Sequence, residues 1–326
     1  MILEVTNLKK YFPVAKTFIE RLFSREEKFV KAVDGISFTI DKGEIFSLVG
    51  ESGSGKTTTG KLVLRLIDPT DGKIVFDGTD ITYLKGEELR KLRRYMQIIY
   101  QDPYASLNPR MKVGEAIMDP LIIHDLASRD EAKSMVYEML EKVGLTPPEY
   151  FYNVYPRNLS GGQRQRVVIA RAMITKPKFV VADEPVSMID VSLRASILDL
   201  MLKFREELNL SYLFITHDLA VAKYISDKIA IMYLGKIVEM GPTAEIFRNP
   251  LHPYTKALLS AIPVPSPRKK KERIKLVGEI PSAIDIPSGC RFHTRCPNKM
   301  KRCEAEEPEL IKVSKEHFVA CHIYSV

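Results

Sequence analysis

The stretch Gly50-Glu51-Ser52-Gly53-Ser54-Gly55-Lys56-Thr57 constrains this chain more than any other feature. It fits the pattern G-x-x-x-x-G-K-[ST], follows the apolar run Ile45-Phe46-Ser47-Leu48-Val49, and precedes a segment, residues 57–66, that reads as a helix. A strand, a glycine turn and a helix in that order build a cradle for phosphate. Glycines let backbone amides turn inward, the helix N-terminus adds partial positive charge, Lys56 neutralises terminal phosphates, and the Thr57 hydroxyl can ligate Mg²⁺. Gly50, Ser52, Gly53, Ser54, Gly55, Lys56, Thr57 and Thr58 are the expected phosphate contacts. A glycine-rich turn with an accidental lysine is the plainer alternative, and the strand and helix context argues against it.

Around this motif the pattern alternates between strand and helix. Ile36, Phe38 and Ile40 alternate like a half-buried strand, and further strands are expected at 73–77, 96–100, 179–183, 212–216 and 228–233. Helices are expected at 192–208 and 219–226, which gives a parallel-rich α/β core. Between about 113 and 174 strand signals vanish, and Ala132, Met135, Val136, Met139, Leu140 and Val143 recur at helical spacing, so an inserted helical subdomain is expected there. Residues 263–275 combine Pro-Val-Pro-Ser-Pro with a run of Arg and Lys, as an exposed linker would, although the basic run could touch anionic lipid. Residues 13–30 carry Phe18, Ile19, Leu22 and Phe23 at helical spacing, consistent with a surface element packing on its own domain or an amphipathic contact with a partner or membrane. The domains read as 1–262, the linker 263–275, and a small module at 276–326.

With 45% hydrophobic residues, the 326-residue chain can bury a sizeable core, which excludes disordered and fibrous classes. No apolar run reaches the roughly 18 residues needed to cross a bilayer, and the N-terminus opens into a strand-like segment, so a soluble cytoplasmic chain is expected. The net charge of +8, from 49 basic and 41 acidic residues, suits an anionic partner but does not identify one.

The remaining chemistry of a nucleotide hydrolase is present. Phe179-Val180-Val181-Ala182 runs into Asp183 and Glu184, where Asp183 can hold Mg²⁺ and Glu184 can polarise a water for in-line attack. His217 ends the 212–216 strand and can hydrogen-bond the γ-phosphate. Leu159-Ser160-Gly161-Gly162-Gln163 forms a second small anion nest at a helix start.

This last segment resembles the signature sequence of ABC ATPases. Gln101, in Ile99-Tyr100-Gln101-Asp102-Pro103, resembles that family's Q-loop, His217 its switch histidine, and Ser187-Met188-Ile189-Asp190 its D-loop, where Met188 and Ile189 depart from the usual Ser-Ala-Leu-Asp. The motifs occur in family order over about residues 2–251. The resemblance implies a P-loop NTPase core of the ABC ATPase type. ATP would bind with Mg²⁺ held at Thr57, Gln101 and Asp183, and Glu184, His217 and Gln101 would serve hydrolysis. It also implies that Ser160, Gly161, Gly162, Gln163 and Asp190 close over the nucleotide of a second ATPase subunit. An aromatic near the N-terminus should stack on adenine, and spacing favours Phe12 over Tyr11.

Beyond the motor motifs, the chain resembles ATPase subunits of dipeptide and oligopeptide importers nearly end to end. The residues that carry this are Ala32-Val33-Asp34-Gly35-Ile36-Ser37-Phe38, Gln101 to Arg110, and His252-Pro253-Tyr254-Thr255. The resemblance implies a heterodimeric motor with two transmembrane permease subunits and an extracellular substrate-binding protein, at the cytoplasmic face of the membrane. Asn108 and Arg110 are candidates near the docking groove for the permease. An ABC ATPase that acts on nucleic acid or ribosomes is the alternative, which the single compact ATPase unit disfavours; no nucleic-acid partner is expected.

Cys290, Cys296, Cys303 and Cys321, spaced C-x₅-C-x₆-C-x₁₇-C, are the chain's four cysteines. Thiols gathered in a segment too small for its own core suggest a metal nucleus. Spacing alone leaves an iron–sulfur cluster and Zn²⁺ open, while two disulfides suit a reducing cytoplasm poorly. Resemblance to the tails of peptide-importer ATPases implies a [4Fe–4S] cluster, with a role in folding or subunit docking. His293, His317 and His322 lie nearby as substitute ligands.

Overall fold

The computed structural model describes residues 1–14, 28–262, 274, 276 and 278–325. The amphipathic pattern at Phe18, Ile19, Leu22 and Phe23, and nearly all of the 263–275 stretch, lie outside the described residues. Contacts divide the chain into two compact units, one of Met1–Ile2, Ile40–Ile45 and Tyr83–Ile215, the other of Leu3–Thr39, Phe46–Thr82 and Thr216–Val326.

The first unit is built on parallel strands. Phe179–Asp183 pairs in parallel with Met96–Ile99 on one side and with Ser211–Thr216 on the other. Every residue of Phe179–Asp183 is buried, as a β-branched apolar run flanked on both edges requires. Helices Val113–Ile123, Arg129–Lys142, Pro148–Asn153 and Gly161–Met173 occupy the region where strand signals vanish. Arg129–Lys142 buries Ala132, Val136, Met139 and Leu140, one face at helical spacing. Each large side chain so buried contributes roughly 1.5–3 kcal/mol. The helix begins at Ser128, whose hydroxyl accepts from the Glu131 amide while the Glu131 carboxylate accepts from the Ser128 amide at 2.9 Å.

The second unit holds the phosphate motif and the C-terminal segment. Ile45–Val49 is wholly buried, and its Phe46–Val49 stretch pairs in parallel with Lys228–Tyr233. Several other pairings described in this unit are antiparallel, which the parallel-rich expectation did not include. Leu3–Pro13 runs antiparallel to Asp71–Phe76, and Lys228–Tyr233 turns back into Lys236–Pro242. Leu234 at φ 42° and Gly235 at φ 82° make that turn, the double left-handed geometry of a tight hairpin. A Cβ on Gly235 would meet the Lys31 carbonyl at 2.8 Å, so the second position is confined to glycine. His317–Val319 then adds to Lys236–Pro242, with Ile311–Ser314 outside it.

The phosphate-motif helix ends sooner than expected, spanning Lys56–Val63. Arg65 adopts φ 52°, and its side chain donates to the Ile81 carbonyl at 2.9 Å and pairs with Asp68 at 2.8 Å. That anchorage turns the chain before a further helical turn can form.

A buried acid fastens the C-terminal strands. The fully buried Glu239 accepts from the amides of Leu251 and His252 and lies 2.8 Å from Nε2 of His317. Burial pushes the imidazole of His252 down to about 4, so it stays neutral and accepts the Tyr254 amide through Nδ1 at 3.0 Å. Beside it, Tyr233, Tyr254 and Phe292 pack ring to ring. Among the described residues no helix is long and apolar enough to cross a membrane.

Candidate functional site

In the second unit the phosphate loop leaves its buried strand at Gly50. A Cβ there would strike the Met232 carbonyl at 2.2 Å, and one on Gly55, which adopts φ 107°, would strike the Ala32 carbonyl at 2.1 Å. Both positions therefore require glycine. Gly55 caps the helix without a side-chain hydrogen bond, and a helix N-terminus carries the partial positive charge that favours an anion. Lys56 is buried, and its ammonium donates to the carbonyls of Gly50 and Glu51, each at 2.8 Å. Ser52 and Gly53 lie exposed at the tip, Ser54 is buried, and Thr57 is exposed beside the half-buried Thr58.

His217 is exposed directly after its strand. Its neighbour Asp218 caps the following helix, accepting from Ala220 at 2.8 Å and Val221 at 3.4 Å. Phe12 is exposed with the Lys10 ammonium 5.1 Å from its ring centre. The Tyr11 hydroxyl is instead committed to Asp34. Burial and that bond push Tyr11 up to about 12. Desolvation alone would raise the Asp34 carboxyl, but bonds from Tyr11 and Arg291 more than offset it and hold it below the usual range.

In the first unit Asp183 closes its strand, nearly buried, and Glu184 follows at φ 46°. The left-handed region costs a non-glycine residue about 1–2 kcal/mol. Here it is held by the Glu184 amide donating to Ile215 at 2.9 Å and by the Ser187 hydroxyl donating to the Glu184 carbonyl at 3.0 Å. The structure brings Gln101 onto this carboxylate, with Nε2 donating to Oε2 at 3.2 Å. Ser160 caps Gly161–Met173, and Gln163 reaches back to the Ser160 amide at 2.9 Å, which leaves Gly161 and Gly162 on the first turn. Asp190 is exposed at the start of Val191–Leu208 with no side-chain cap bond. Asn108 accepts from the Arg110 amide at 3.0 Å on an exposed turn.

The cysteines gather within the second unit. Cys290 and Cys296 are half-buried and Cys303 and Cys321 buried. Each thiol is close enough to the other three to interact electrostatically. Burial pushes Cys290 up to about 11 and also raises Cys296 and Cys321. Among the described residues, however, no three His, Cys, Asp or Glu side chains form a group that could hold a metal ion. The neighbouring histidines have other roles: His317 meets Glu239, His322 the Glu306 carbonyl, and His293 the Cys290 carbonyl.

Sequence reasoning missed the groups that brace the phosphate loop from outside. Glu51 receives both nitrogens of Arg295, at 2.7 and 3.1 Å, while the Tyr254 hydroxyl accepts the Glu51 amide at 3.0 Å. No local pattern signals a contact across 244 positions.

Residues 33–187 match the family described as ABC transporter, and residues 238–303 match the oligopeptide/dipeptide transporter C-terminal region. The oligopeptide transport ATP-binding protein AppF of Bacillus subtilis is 49% identical over 99% of this chain and 98% of its own. The dipeptide transport ATP-binding protein DppF of Haemophilus influenzae is 47% identical over 98% and 96%. Among solved structures, the dimeric post-hydrolysis state of the ATP-binding cassette MJ0796 bound to ADP and Pi superposes with a TM-score of 0.63. It is 30% identical and covers 74% of this chain and 99% of that one. Similarity of this extent, running through the phosphate loop and on into the cysteine-bearing tail, makes the chain a member of the ABC transporter ATPases, within their oligopeptide and dipeptide transport branch.

Proposed function

We propose that this chain is the ATP-hydrolysing motor of an importer for dipeptides or oligopeptides. The observation that carries the reading is a phosphate loop with a buried Lys56 in a chain that also sets Gln101 against Glu184, just past the end of the apolar strand Phe179–Asp183. Backbone amides of residues 50–57 and Lys56 bind the phosphates, and Phe12 stacks on adenine. Thr57, Gln101 and Asp183 are the residues that would hold Mg²⁺, which would supply positive charge against the phosphates. Glu184 takes the proton of the attacking water, and His217 stabilises charge on the γ-phosphate. Ser160, Gly161, Gly162, Gln163 and Asp190 serve the nucleotide of a second, non-identical ATPase subunit. Residues 113–174 act as a helical subdomain, and helical segments near Gln101 receive a coupling helix from a membrane subunit; the assembly has two permease subunits at the cytoplasmic face, and an extracellular binding protein delivers the substrate. In cells lacking this chain, import of radiolabelled dipeptides and tripeptides should fall to background and return on complementation. Unimpaired peptide import would refute the assignment.

Within the same reading, residues 276–326 are a cysteine module in which Cys290, Cys296, Cys303 and Cys321 would hold a [4Fe–4S] cluster. The donor chemistry and the mutual proximity of the four thiols support it, and a cluster would draw them into ligating positions as the segment folds. Anaerobically purified protein should absorb near 400 nm and contain about four iron atoms per chain. Stoichiometric zinc without iron would overturn the cluster in favour of a zinc site.

A further inference from the structure

The cysteine-bearing segment grips the phosphate loop. Arg295, one residue before Cys296, forks onto Glu51 with Nη1 2.7 Å from Oε2 and Nη2 3.1 Å from Oε1. Its side chain is 7% exposed and that of Glu51 27%, so water screens the pair weakly. Parallel bonds between guanidinium and carboxylate are among the stronger and more directional contacts available to side chains.

Glu51 is held at each of its polar groups. Its amide donates to the Tyr254 hydroxyl, which in turn donates to its carboxylate at 3.3 Å, and its carbonyl accepts from Lys56 at 2.8 Å. One residue thus connects Arg295 outside the loop to the phosphate-binding lysine inside it. The segment is docked a second time by Arg291, which bonds Asp34 and the Leu234 carbonyl.

We infer that Arg295 is a positioning residue for nucleotide binding: it neutralises Glu51 and fixes the loop backbone, so that the fold of the cysteine-bearing segment sets the affinity of the phosphate site. Without it, a partly buried carboxylate within the phosphate loop would repel an anionic ligand and lose its strongest tether. The inference rests on residues 50–57 being the nucleotide phosphate site.

The test is titration of the full-length chain with a fluorescent ATP analogue in the presence of Mg²⁺. Arg295→Met should weaken binding about tenfold, and Arg295→Lys, which keeps the charge, no more than about threefold. Adding Glu51→Gln to Arg295→Met should recover at least half of the logarithmic loss, a rescue that general damage to the fold would not give. Glu51→Gln alone removes the negative charge while leaving Arg295 one acceptor, so it should bind within about threefold of wild type, and this arm stands even if Arg295→Met folds poorly. Wild-type affinity in Arg295→Met, absence of rescue in the folded double variant, or a loss in Glu51→Gln as large as the roughly tenfold loss expected of Arg295→Met would overturn the inference. Lys56→Ala separates the two levels. If it binds like wild type, the site assignment itself fails; if it loses binding while Arg295→Met does not, only the role of Arg295 fails.

Discussion

Glu184→Gln should bind ATP within a few-fold of wild type yet hydrolyse it roughly 10²–10⁴-fold more slowly. The substitution is nearly isosteric. It leaves the φ of 46° at this position, the amide bond to Ile215 and an oxygen for Gln101 to reach, so geometry is kept while the base is removed. The assay requires the assembled transporter with the partner subunit's own site disabled, because two sites would otherwise contribute to turnover. Hydrolysis at the wild-type rate under those conditions would show that another group accepts the proton. A parallel loss of nucleotide affinity would instead move Glu184 into ground-state binding.

The second large effect is expected at Lys56, and on binding. Lys56→Ala removes a buried ammonium that donates to the Gly50 and Glu51 carbonyls at 2.8 Å. A charge-assisted bond to phosphate is worth about 1.5–3 kcal/mol, so nucleotide affinity should fall by roughly 10- to 100-fold. The two carbonyls also lose their donor, and a modest drop in thermal stability should accompany the loss. Fluorescence titration and thermal melting of the same samples resolve the two effects. Affinity within twofold of wild type would place the phosphates elsewhere.

The motifs of the candidate site could be read from the sequence because they are local. The phosphate loop, the acidic pair at Asp183 and Glu184, and the Ser160 to Gln163 nest each lie within a few consecutive residues whose spacing carries their chemistry. The strands Phe179–Asp183 and Lys228–Tyr233 were legible for the same reason, being short uninterrupted apolar runs. Lys236–Pro242 was not, since Glu239 stands at its centre and Gly241 and Pro242 at its end. A carboxylate reads as solvent-facing until Leu251, His252 and His317 are seen to satisfy it. The early end of Lys56–Val63 was hidden too, because Arg65 carries no glycine-like signal for a left-handed turn. The bond that commits the Tyr11 hydroxyl to Asp34 was hidden as well, because no local pattern announces it. The brace on Glu51 depends on chain closure over hundreds of residues, and no periodicity encodes it.

The pairing of His317–Val319 with Lys236–Pro242 also governs the order in which the molecule can be completed. Elongation at about 5–20 residues per second separates these residues from the strand they cover by several seconds. During that interval Lys236–Pro242 presents an open row of backbone donors and acceptors, and Glu239 lacks its histidine. An uncapped edge of this kind recruits other chains. A nascent chain of this architecture is therefore open to aggregation in the interval after Lys236–Pro242 has been made and before His317–Val319 arrives to cover it.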